Sequence, residues 1–191
     1  MSNSVSRLTL FRVLLKSFLL ESVWNYRMMQ NIGFCSAIMP ALRKIYPDNS
    51  KYAAALKRHL KFFNTHPYFA SVVLGISINL EEQRGRGLSP KAVMIDGFKE
   101  KMMGPMAAIG DSLFWATIRP FCALMGVLTA VLFGVNGFVW AAPAVFLVLY
   151  NIPHIFVRYM GLMRGYKLGL SFVNCIPCWN VAGIIEKIKL S

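Results

Sequence analysis

The chain has 191 residues, 56% of them hydrophobic, and its mean hydropathy of +0.50 is too high for a soluble domain of this size. Only 15% of the residues are charged, and the 38 residues between Arg119 and Arg158 carry no charged side chain. Two bilayer crossings need about 20 residues each, which is close to the length of this interval. The composition therefore excludes an ordinary soluble domain and predicts an integral membrane protein.

The net charge of +13 is compatible with nucleic-acid binding, but its distribution favours a membrane instead. Ten of the 21 basic residues lie within residues 1–64, against only Glu21 and Asp48 on the acidic side. Basic segments beside apolar spans are typical of the cytoplasmic face, where anionic membrane lipid attracts them. We therefore predict residues 1–64 to be cytoplasmic or interfacial, with the N-terminus on the cytoplasmic side of a bacterial plasma (inner) membrane, and expect no nucleic-acid partner.

Residues 1–64 show helical periodicity. Large apolar residues recur there at steps of three and four with charged residues between them, which indicates an amphipathic helix whose apolar face lies in the membrane interface or docks on a partner helix. Residues 26–46 and 51–63 repeat this pattern more weakly, and Asp48 or Asn49 is expected to cap the later helix. The apolar positions of the first helix are Leu8, Phe11, Leu15, Phe18 or Leu19, and Val23.

Residues 65–191 are predicted to form the membrane-embedded part. An apolar stretch at 66–80 is too short to span a bilayer and is interpreted as a buried or re-entrant helix. A polar loop follows, in which Ser89 is expected to cap the next helix, and Gly104-Pro105 is expected to break that helix.

Two better spans are predicted near 120–135 and 138–157. The predicted fold class is therefore all-α: a polytopic membrane protein with N-terminal amphipathic helices, re-entrant or broken helices and about two full spans.

Hydrogen-bonding side chains cluster at Asn64, Thr65 and His66, at the edge of an apolar stretch. Such groups at membrane depth need partners, and a sugar hydroxyl is a suitable one. The alternative is a helix start, with Asn64 or Thr65 as the cap and Pro67 in the first turn. Glu81 and Glu82 stand at the end of the following helix, where the helix dipole disfavours acids; they are either used functionally or belong to an exposed polar face.

A second cluster surrounds Asp111, a carboxylate within an apolar run that follows the small residue Gly110. An intramembrane acid is costly unless it is paired or hydrated, so a role in ligand binding is predicted. The alternative is an ion pair with Arg119, two helical turns onward. Trp115, one turn beyond Asp111, is a candidate to stack on a sugar ring or to anchor at the membrane interface. The predicted substrate-binding residues are Asn64, His66, Glu81, Asp111 and Trp115.

Neither a cofactor nor a metal is expected. His59, His66 and His154 lack ligand-like spacing, and the Cys175/Cys178 pair lacks the setting of a redox motif. His59 and the two cysteines are accordingly predicted to be dispensable. The sequence contains no phosphate-binding loop, dinucleotide fingerprint or hydrolase triad, so no catalytic residue is assigned.

Five motifs stand out along the chain: YRMMQNIGF (26–34), LRKIY (42–46), KRHLKFFNTHP (57–67), LEEQ (80–83) and GPMAAIGD (104–111). They resemble the IID component of the mannose/fructose/sorbose phosphotransferase family, over about residues 11–169. The resemblance implies a complex with a IIC subunit that forms a membrane permease for a hexose or amino sugar. It also implies that cytoplasmic IIA and IIB partners carry the phosphoryl group from phosphoenolpyruvate on their own histidines, so this subunit is non-catalytic.

The chain departs from that family in three places. Lys61 stands where relatives usually have an acid, and Ser112 where a proline commonly follows the Gly-Asp pair; either change is expected to alter sugar preference. Relatives also continue well beyond residue 169 into a further membrane part, whereas this chain stops at Ser191. The resemblance therefore implies a C-terminally shortened copy, with the alternative that it pairs with IIC without transporting.

Overall fold

The structure is a computed structural model that describes residues 5–88, 92–133 and 140–175. In these ranges the regular secondary structure is helical, which confirms the all-α class; the remaining extended pairs are isolated bridges of Met29 with Asn25 and with Phe63. The elements are α1 (Arg7–Ser17), α2 (Asn31–Ile45), α3 (Asn49–His59), α4 (Ala70–Gly85), α5 (Ala92–Gly110), a π-helical segment (Asp111–Ile118), α6 (Arg119–Phe133), α7 (Ala141–Leu168) and α8 (Ser171–Cys175).

Helix ends follow local chemistry. The side chain of Ser6 accepts a hydrogen bond from the Thr9 amide at the start of α1. Asp48 accepts one from the Lys51 amide at 2.8 Å, which confirms it as the cap of α3. At the end of α7, Gly169 has a φ of +54°, a backbone conformation that favours glycine. The predicted cap Ser89 lies outside the described residues.

The described residues form two regions of different character. The base, made of α1 to α4, the first part of α5 and the end of α7, holds most of the buried apolar side chains. The hairpin, made of the π-helical segment, α6 and the first half of α7, exposes large apolar side chains along its length. They include Phe121, Leu124, Val127, Val131, Leu147, Ile152 and Phe156. Such a surface is stable against lipid or another apolar helix but not in water.

The two predicted spans are confirmed as long apolar helices but start and end elsewhere. The stretch Met94–Phe133 is continuously helical, and Ala141–Leu168 returns beside it; both are long and apolar enough to cross a membrane. The expected break at Gly104-Pro105 is wrong, because α5 continues through Pro105 to Gly110. The helix becomes irregular only after Gly110, where Asp111–Ile118 forms wider, π-helical turns.

Helix α4, at 66–80 in the sequence-based prediction, is confirmed as a buried helix. It begins at Ala70, so the interpretation of Asn64 or Thr65 as its cap is wrong. It runs parallel to α7, with which it makes very close contact. A Cβ atom added at Gly75 would lie 2.4 Å from the Leu162 carbonyl oxygen. Gly161 and Gly165, four residues apart on α7, approach α4 in the same way, as small residues do at close helix contacts.

Helix α1 has an apolar face on each side. Leu10, Val13 and Leu14 are buried in the base, whereas the predicted amphipathic positions, among them Leu8 and Leu15, are exposed. The exposed face is compatible with both predicted roles, in the membrane interface or against a partner helix. Across the predicted division at residues 64 and 65, α4 packs on α2 within the base.

We expect Gly75→Ala to lower the stability of the chain by about 1–3 kcal/mol, because the new methyl group has no room beside the α7 backbone. Gly104→Ala is the matched control: it lies in α5 with nothing within 4 Å of the added carbon, so it should be neutral or slightly stabilising. Thermal unfolding of both variants in detergent measures the difference. Equal shifts in the two midpoints would contradict the close contact.

Candidate functional site

The polar segment, residues 63–67, is extended and is held in place by Gln30. The backbone amide of Gln30 donates to the Phe63 carbonyl at 2.8 Å. Its buried side chain donates to the Thr65 carbonyl at 2.7 Å and accepts from the Thr65 amide at 3.0 Å. The side-chain amide of Gln30 also donates to Glu21. Gln30 therefore satisfies the backbone of the polar segment as a neighbouring strand would.

On its other side the polar segment lies along α5. The Thr65 hydroxyl donates to the Met103 carbonyl at 3.0 Å, and the Asn64 backbone amide contacts the Met103 sulfur at 3.2 Å. The Asn64 side chain is exposed and is not hydrogen-bonded to any described residue. Its amide is consequently available to a group from outside the chain.

His66 is 2% exposed and packs directly on α5. A Cβ atom at Gly110 would lie 2.2 Å from the imidazole ring, so only glycine fits there. Nδ1 accepts from the Tyr68 amide at 3.3 Å, which places the proton of the neutral ring on Nε2. Burial, reinforced by the charge of Arg158, lowers the pKa of His66 to about 4. Nε2 has no partner among the described residues and is therefore a buried donor without an acceptor.

The π-helical segment arranges the aromatic side chains around His66. Phe114 is fully buried and stacks on His66 with ring centroids 5.4 Å apart, while Trp115 lies 5.5 Å from His66 and is 41% exposed. The Thr117 hydroxyl donates to the Ser112 carbonyl, five residues earlier, at 2.8 Å, which suits the wider turn. Phe114 thus faces the interior and Trp115 partly faces the surface, and both rings lie beside His66.

Asp111 is exposed and has no ion pair within the described part of the chain. The alternative prediction of a pair with Arg119 is not what the structure shows. Arg119 instead lies over the Trp115 ring, 5.3 Å from its centroid. The Asp111 carboxylate follows Gly110 directly and so lies next to the helix turn that contacts His66.

Beneath the polar segment, Tyr68 joins the base to the hairpin. Its hydroxyl is 2.9 Å from that of Tyr150, and its ring stacks on His154. The Arg158 guanidinium lies 5.0 Å from the same ring and donates to the carbonyl of Ser17 at 2.7 Å. Arg158 is 5% exposed, although it directly follows the uncharged run of 38 residues. A lone arginine beside an apolar span carries no sequence signal for such burial.

Glu81 lies apart from the polar segment, fully buried among side chains of α2 and α3. Arg58 donates two hydrogen bonds to its carboxylate at 2.9 Å each, and the Tyr46 hydroxyl donates one at 2.7 Å. His59 Nε2 lies 2.8 Å from Oε1. The exposed-face alternative for Glu81 and Glu82 is thus wrong, since Glu82 is also buried. The prediction of Glu81 as a sugar ligand has no support from this surrounding set of donors.

The electrostatics of this buried cluster favour an ionised glutamate. Burial raises the pKa of Glu81, but hydrogen bonds from His59 and Arg58 outweigh it and bring the pKa to about 2. Burial lowers the pKa of His59, so its ring is neutral and donates from Nε2 to Glu81. His59 is therefore a packed member of the cluster, and the expectation that it is dispensable did not take this burial into account.

The structure also locates the two internal departures from the family pattern. Lys61 Nζ forms an ion pair with Asp96 on α5 at 2.6 Å. Ser112 contributes its carbonyl oxygen to the π-helical segment, as described above. Cys178 and the side chain of Cys175 lie outside the described residues. Four of the five predicted site residues lie along the helical stretch from Met103 to Trp115 or pack against it: Asn64, His66, Asp111 and Trp115. Glu81 lies elsewhere, in the buried cluster with Arg58 and His59.

Comparison with known families supports a single assignment. A family model described as the PTS system mannose/fructose/sorbose family IID component matches residues 4–188. The mannose-specific EIID component of Escherichia coli K12 is 40% identical over 163 residues, which cover 85% of this chain and 56% of that protein. The fructose permease IID component of Bacillus subtilis is 35% identical, with 86% and 58% covered. The chain thus spans little more than half the length of these curated relatives.

Solved structures agree with the sequence relatives. The cryo-EM structure of the mannose transporter ManYZ in complex with microcin E492 contains a chain that superposes with a TM-score of 0.82 at 34% identity. A second structure, described as a membrane protein, superposes with a TM-score of 0.87, also at 34% identity. Each match covers 98% of this chain and 67% of the other.

We expect Glu81→Gln to destabilise the chain by about 3–5 kcal/mol at neutral pH, because Arg58 then loses its buried counter-charge. Glu100→Gln on the exposed side of α5 is the control and should change stability by less than about 0.5 kcal/mol. The pKa of Glu81 lies below the unfolded value of 4.5, so its contribution is present at neutral pH and is lost as the pH falls from 4.5 towards 2. Unfolding midpoints measured against pH should show the gap between wild type and Glu81→Gln closing below pH 4.5. A gap that stays constant would contradict the charged cluster.

Proposed function

Because the chain belongs to the IID component family of the mannose/fructose/sorbose phosphotransferase system, a membrane subunit family, we propose that it forms a sugar permease together with a IIC subunit. In this proposal a hexose or amino sugar passes between the two subunits and is phosphorylated by IIB during uptake, with IIA supplying the phosphoryl group. The relatives named above act on mannose and fructose, which supports the substrate class.

The observation that carries the proposal is a set of polar side chains beside the hairpin that are available to hydrogen-bond a ligand. The Asn64 amide and the Asp111 carboxylate are exposed, and the described part of the chain offers no acceptor to the buried Nε2–H of His66. The partly exposed Trp115 ring adjoins them. Amide, carboxylate and imidazole groups with an aromatic face are the chemistry that binds sugar hydroxyls and pyranose rings. We assign Asn64, His66, Asp111 and Trp115 to the sugar path and give Glu81 a positioning role for the base.

A non-catalytic role fits the burial of the histidines. His59, His66 and His154 are 0%, 2% and 7% exposed, so none presents a ring nitrogen to a cytoplasmic phosphocarrier in this conformation. The phosphoryl group would accordingly stay on the IIA and IIB partners, and this subunit would bind and admit the sugar.

The orientation we propose places the base at the cytoplasmic side. Ten basic residues within 1–64 favour this side, as do Arg164 and Lys167 near the end of α7. The hairpin would then enter a bacterial plasma membrane from the cytoplasm. A cysteine at Ser50 is expected to resist membrane-impermeant thiol reagents in intact cells, and labelling from outside would overturn this orientation.

Co-expression with a IIC subunit tests the transport proposal. Sugar uptake that requires both chains supports it. A complex that forms without uptake would instead favour the non-transporting alternative, in which the chain only binds and assembles with IIC.

We expect Asp111→Asn to weaken sugar binding by the complex by roughly 1.5–3 kcal/mol, since it removes a charged acceptor, and Asn64→Ala to weaken it by about 0.5–1.5 kcal/mol. Sugar affinity and the yield of assembled complex are measured together. The control is Ser50→Ala, a small exposed residue in α3, which should change neither.

Normal affinity in a poorly assembled complex would contradict the substrate assignment for Asp111, because it would mean that the carboxylate serves assembly. Weaker binding at normal yield supports the assignment. Since Asp111 has no ion pair within the described residues, its loss should leave the fold of this chain intact.

A further inference from the structure

Helix α1 presents a second apolar face on its exposed side. Leu8, Phe11 and Leu15 recur at steps of three and four, so they lie on one side of the helix, and all three are exposed. Val13 and Leu14 lie on the opposite side and are buried in the base. The described part of the chain therefore leaves a row of large apolar side chains open to lipid or to a partner.

The apolar row continues beyond the end of α1. The Leu19 amide donates to the Lys16 carbonyl at 3.0 Å, so the chain keeps turning after Ser17. Phe18 and Leu19 are both exposed in this turn, and Leu19 follows Leu15 by four residues. The helix and the turn thus form one apolar surface, the α1 edge, which consists of Leu8, Phe11, Leu15, Phe18 and Leu19.

Cations flank the α1 edge on both sides. At about 100° per residue, Arg7 lies on one side of the apolar row, and Arg12 and Lys16 lie on the other. None of the three forms an ion pair within the described part of the chain. The next acid along the chain, Glu21, accepts a hydrogen bond from Gln30. The α1 edge therefore combines an apolar row with cations that are available to an anion from outside the chain.

Contacts with α7 place the end of the α1 edge near the level at which the hairpin enters the membrane. Arg158 directly follows the uncharged run of 38 residues, and a charged side chain is costly in hydrocarbon, so this residue marks the boundary of the apolar span. Its guanidinium donates to the Ser17 carbonyl at 2.7 Å and lies 4.8 Å from the Phe18 ring. The Phe18 ring lies 6.2 Å from that of His154, one turn further into the span. Phe18 is therefore at the depth where lipid head groups meet acyl chains.

We propose that the α1 edge lies in the lipid interface, with Leu15 and Leu19 against acyl chains and with Arg12 and Lys16 at the phosphate of an anionic phospholipid. A helix whose apolar row is bordered by Lys and Arg residues is typical of this position. The alternative occupant is a partner helix, but the buried centre of a protein interface is usually depleted of charged residues, and a partner would have to supply acids on both sides of the row. Anionic lipid supplies apolar chains and negative charge together.

The test measures lipid contact at Leu19 in the full chain, assembled with IIC in nanodiscs of phosphatidylcholine and phosphatidylglycerol. The fluorophore bimane is attached through Leu19→Cys in a background without other cysteines. Bromine quenches bimane on contact, so nanodiscs in which only one of the two lipids is brominated report the relative binding of each lipid at this position. Leu124→Cys, exposed on the hairpin, is the lipid-facing reference, and Ser50→Cys is an exposed reference in α3.

We expect both brominated lipids to quench the label at position 19, with phosphatidylglycerol preferred. Lys16→Gln should lower this preference about fivefold, because one lysine near a membrane surface contributes about this much to the binding of anionic lipid. The matched control is Lys57→Gln, an exposed lysine of α3, which should leave the preference unchanged.

The absence of quenching at position 19 would mean that water or a IIC helix covers the α1 edge, and it would overturn the proposal. Equal quenching by the two lipids, or equal losses in the two lysine variants, would overturn the anionic lipid as the occupant. None of these measurements requires sugar uptake or a particular orientation in the membrane, so their outcome is independent of the transport proposal.

Discussion

Helix α4 lies so close to α7 that the two backbones nearly touch at Gly75, Gly161 and Gly165. This contact requires glycine on both helices, and the remaining arrangement depends on it. Since α4 and α7 run parallel, the start of α4 is fixed beside the middle of α7. The polar segment that precedes α4 is thereby placed against the turn of α5 at Gly110, at the junction between the base and the apolar hairpin.

Buried polar interactions then determine how the base is assembled around that contact. Glu81 of α4 is surrounded by donors from Arg58, His59 and Tyr46, so α2 and α3 are attached to α4 through one ionised carboxylate. A buried ion pair adds little net stability over an apolar contact, but breaking one side of it is costly. The cluster is therefore better understood as fixing which helices meet than as a source of stability. Gln30 fixes the position of the polar segment in the same way, since its side chain hydrogen-bonds to both the amide and the carbonyl of Thr65.

Periodicity and charge predicted the features that depend on local sequence. The uncharged run between Arg119 and Arg158, the apolar character of residues 66–80 and the capping by Asp48 led to the all-α class, the buried helix and the start of α3. The continuation of α5 through Pro105 was not predictable, because a proline within an apolar helix is tolerated when neighbouring groups satisfy the backbone. The environment of Glu81 was also beyond prediction, since its partners lie 22 to 35 positions earlier in the chain.

Only part of the candidate site was predictable, because local clusters can be recognised in the sequence whereas tertiary contacts cannot. Asn64, His66, Asp111 and Trp115 belong to two short clusters that stand out in an apolar sequence, and close packing at Gly110 brings these clusters together. The roles of Arg158 and Gln30 were not predicted, because they depend on tertiary contacts with Ser17 and Thr65, respectively. The resemblance to the IID family led to the proposed function, which periodicity alone did not indicate.

We propose that the polar segment beside the hairpin faces the sugar path. The most direct measurement is the rate at which a permeant thiol reagent modifies a cysteine placed at Asn64, in a chain whose native cysteines are replaced by serine and which is assembled with IIC. A cysteine at Ser50, remote from the polar segment, provides the reference. A transported hexose is expected to slow modification at position 64 and to leave position 50 unchanged. A rate at position 64 that does not respond to hexose, or equal slowing at both positions, would show that the polar segment does not face the sugar path.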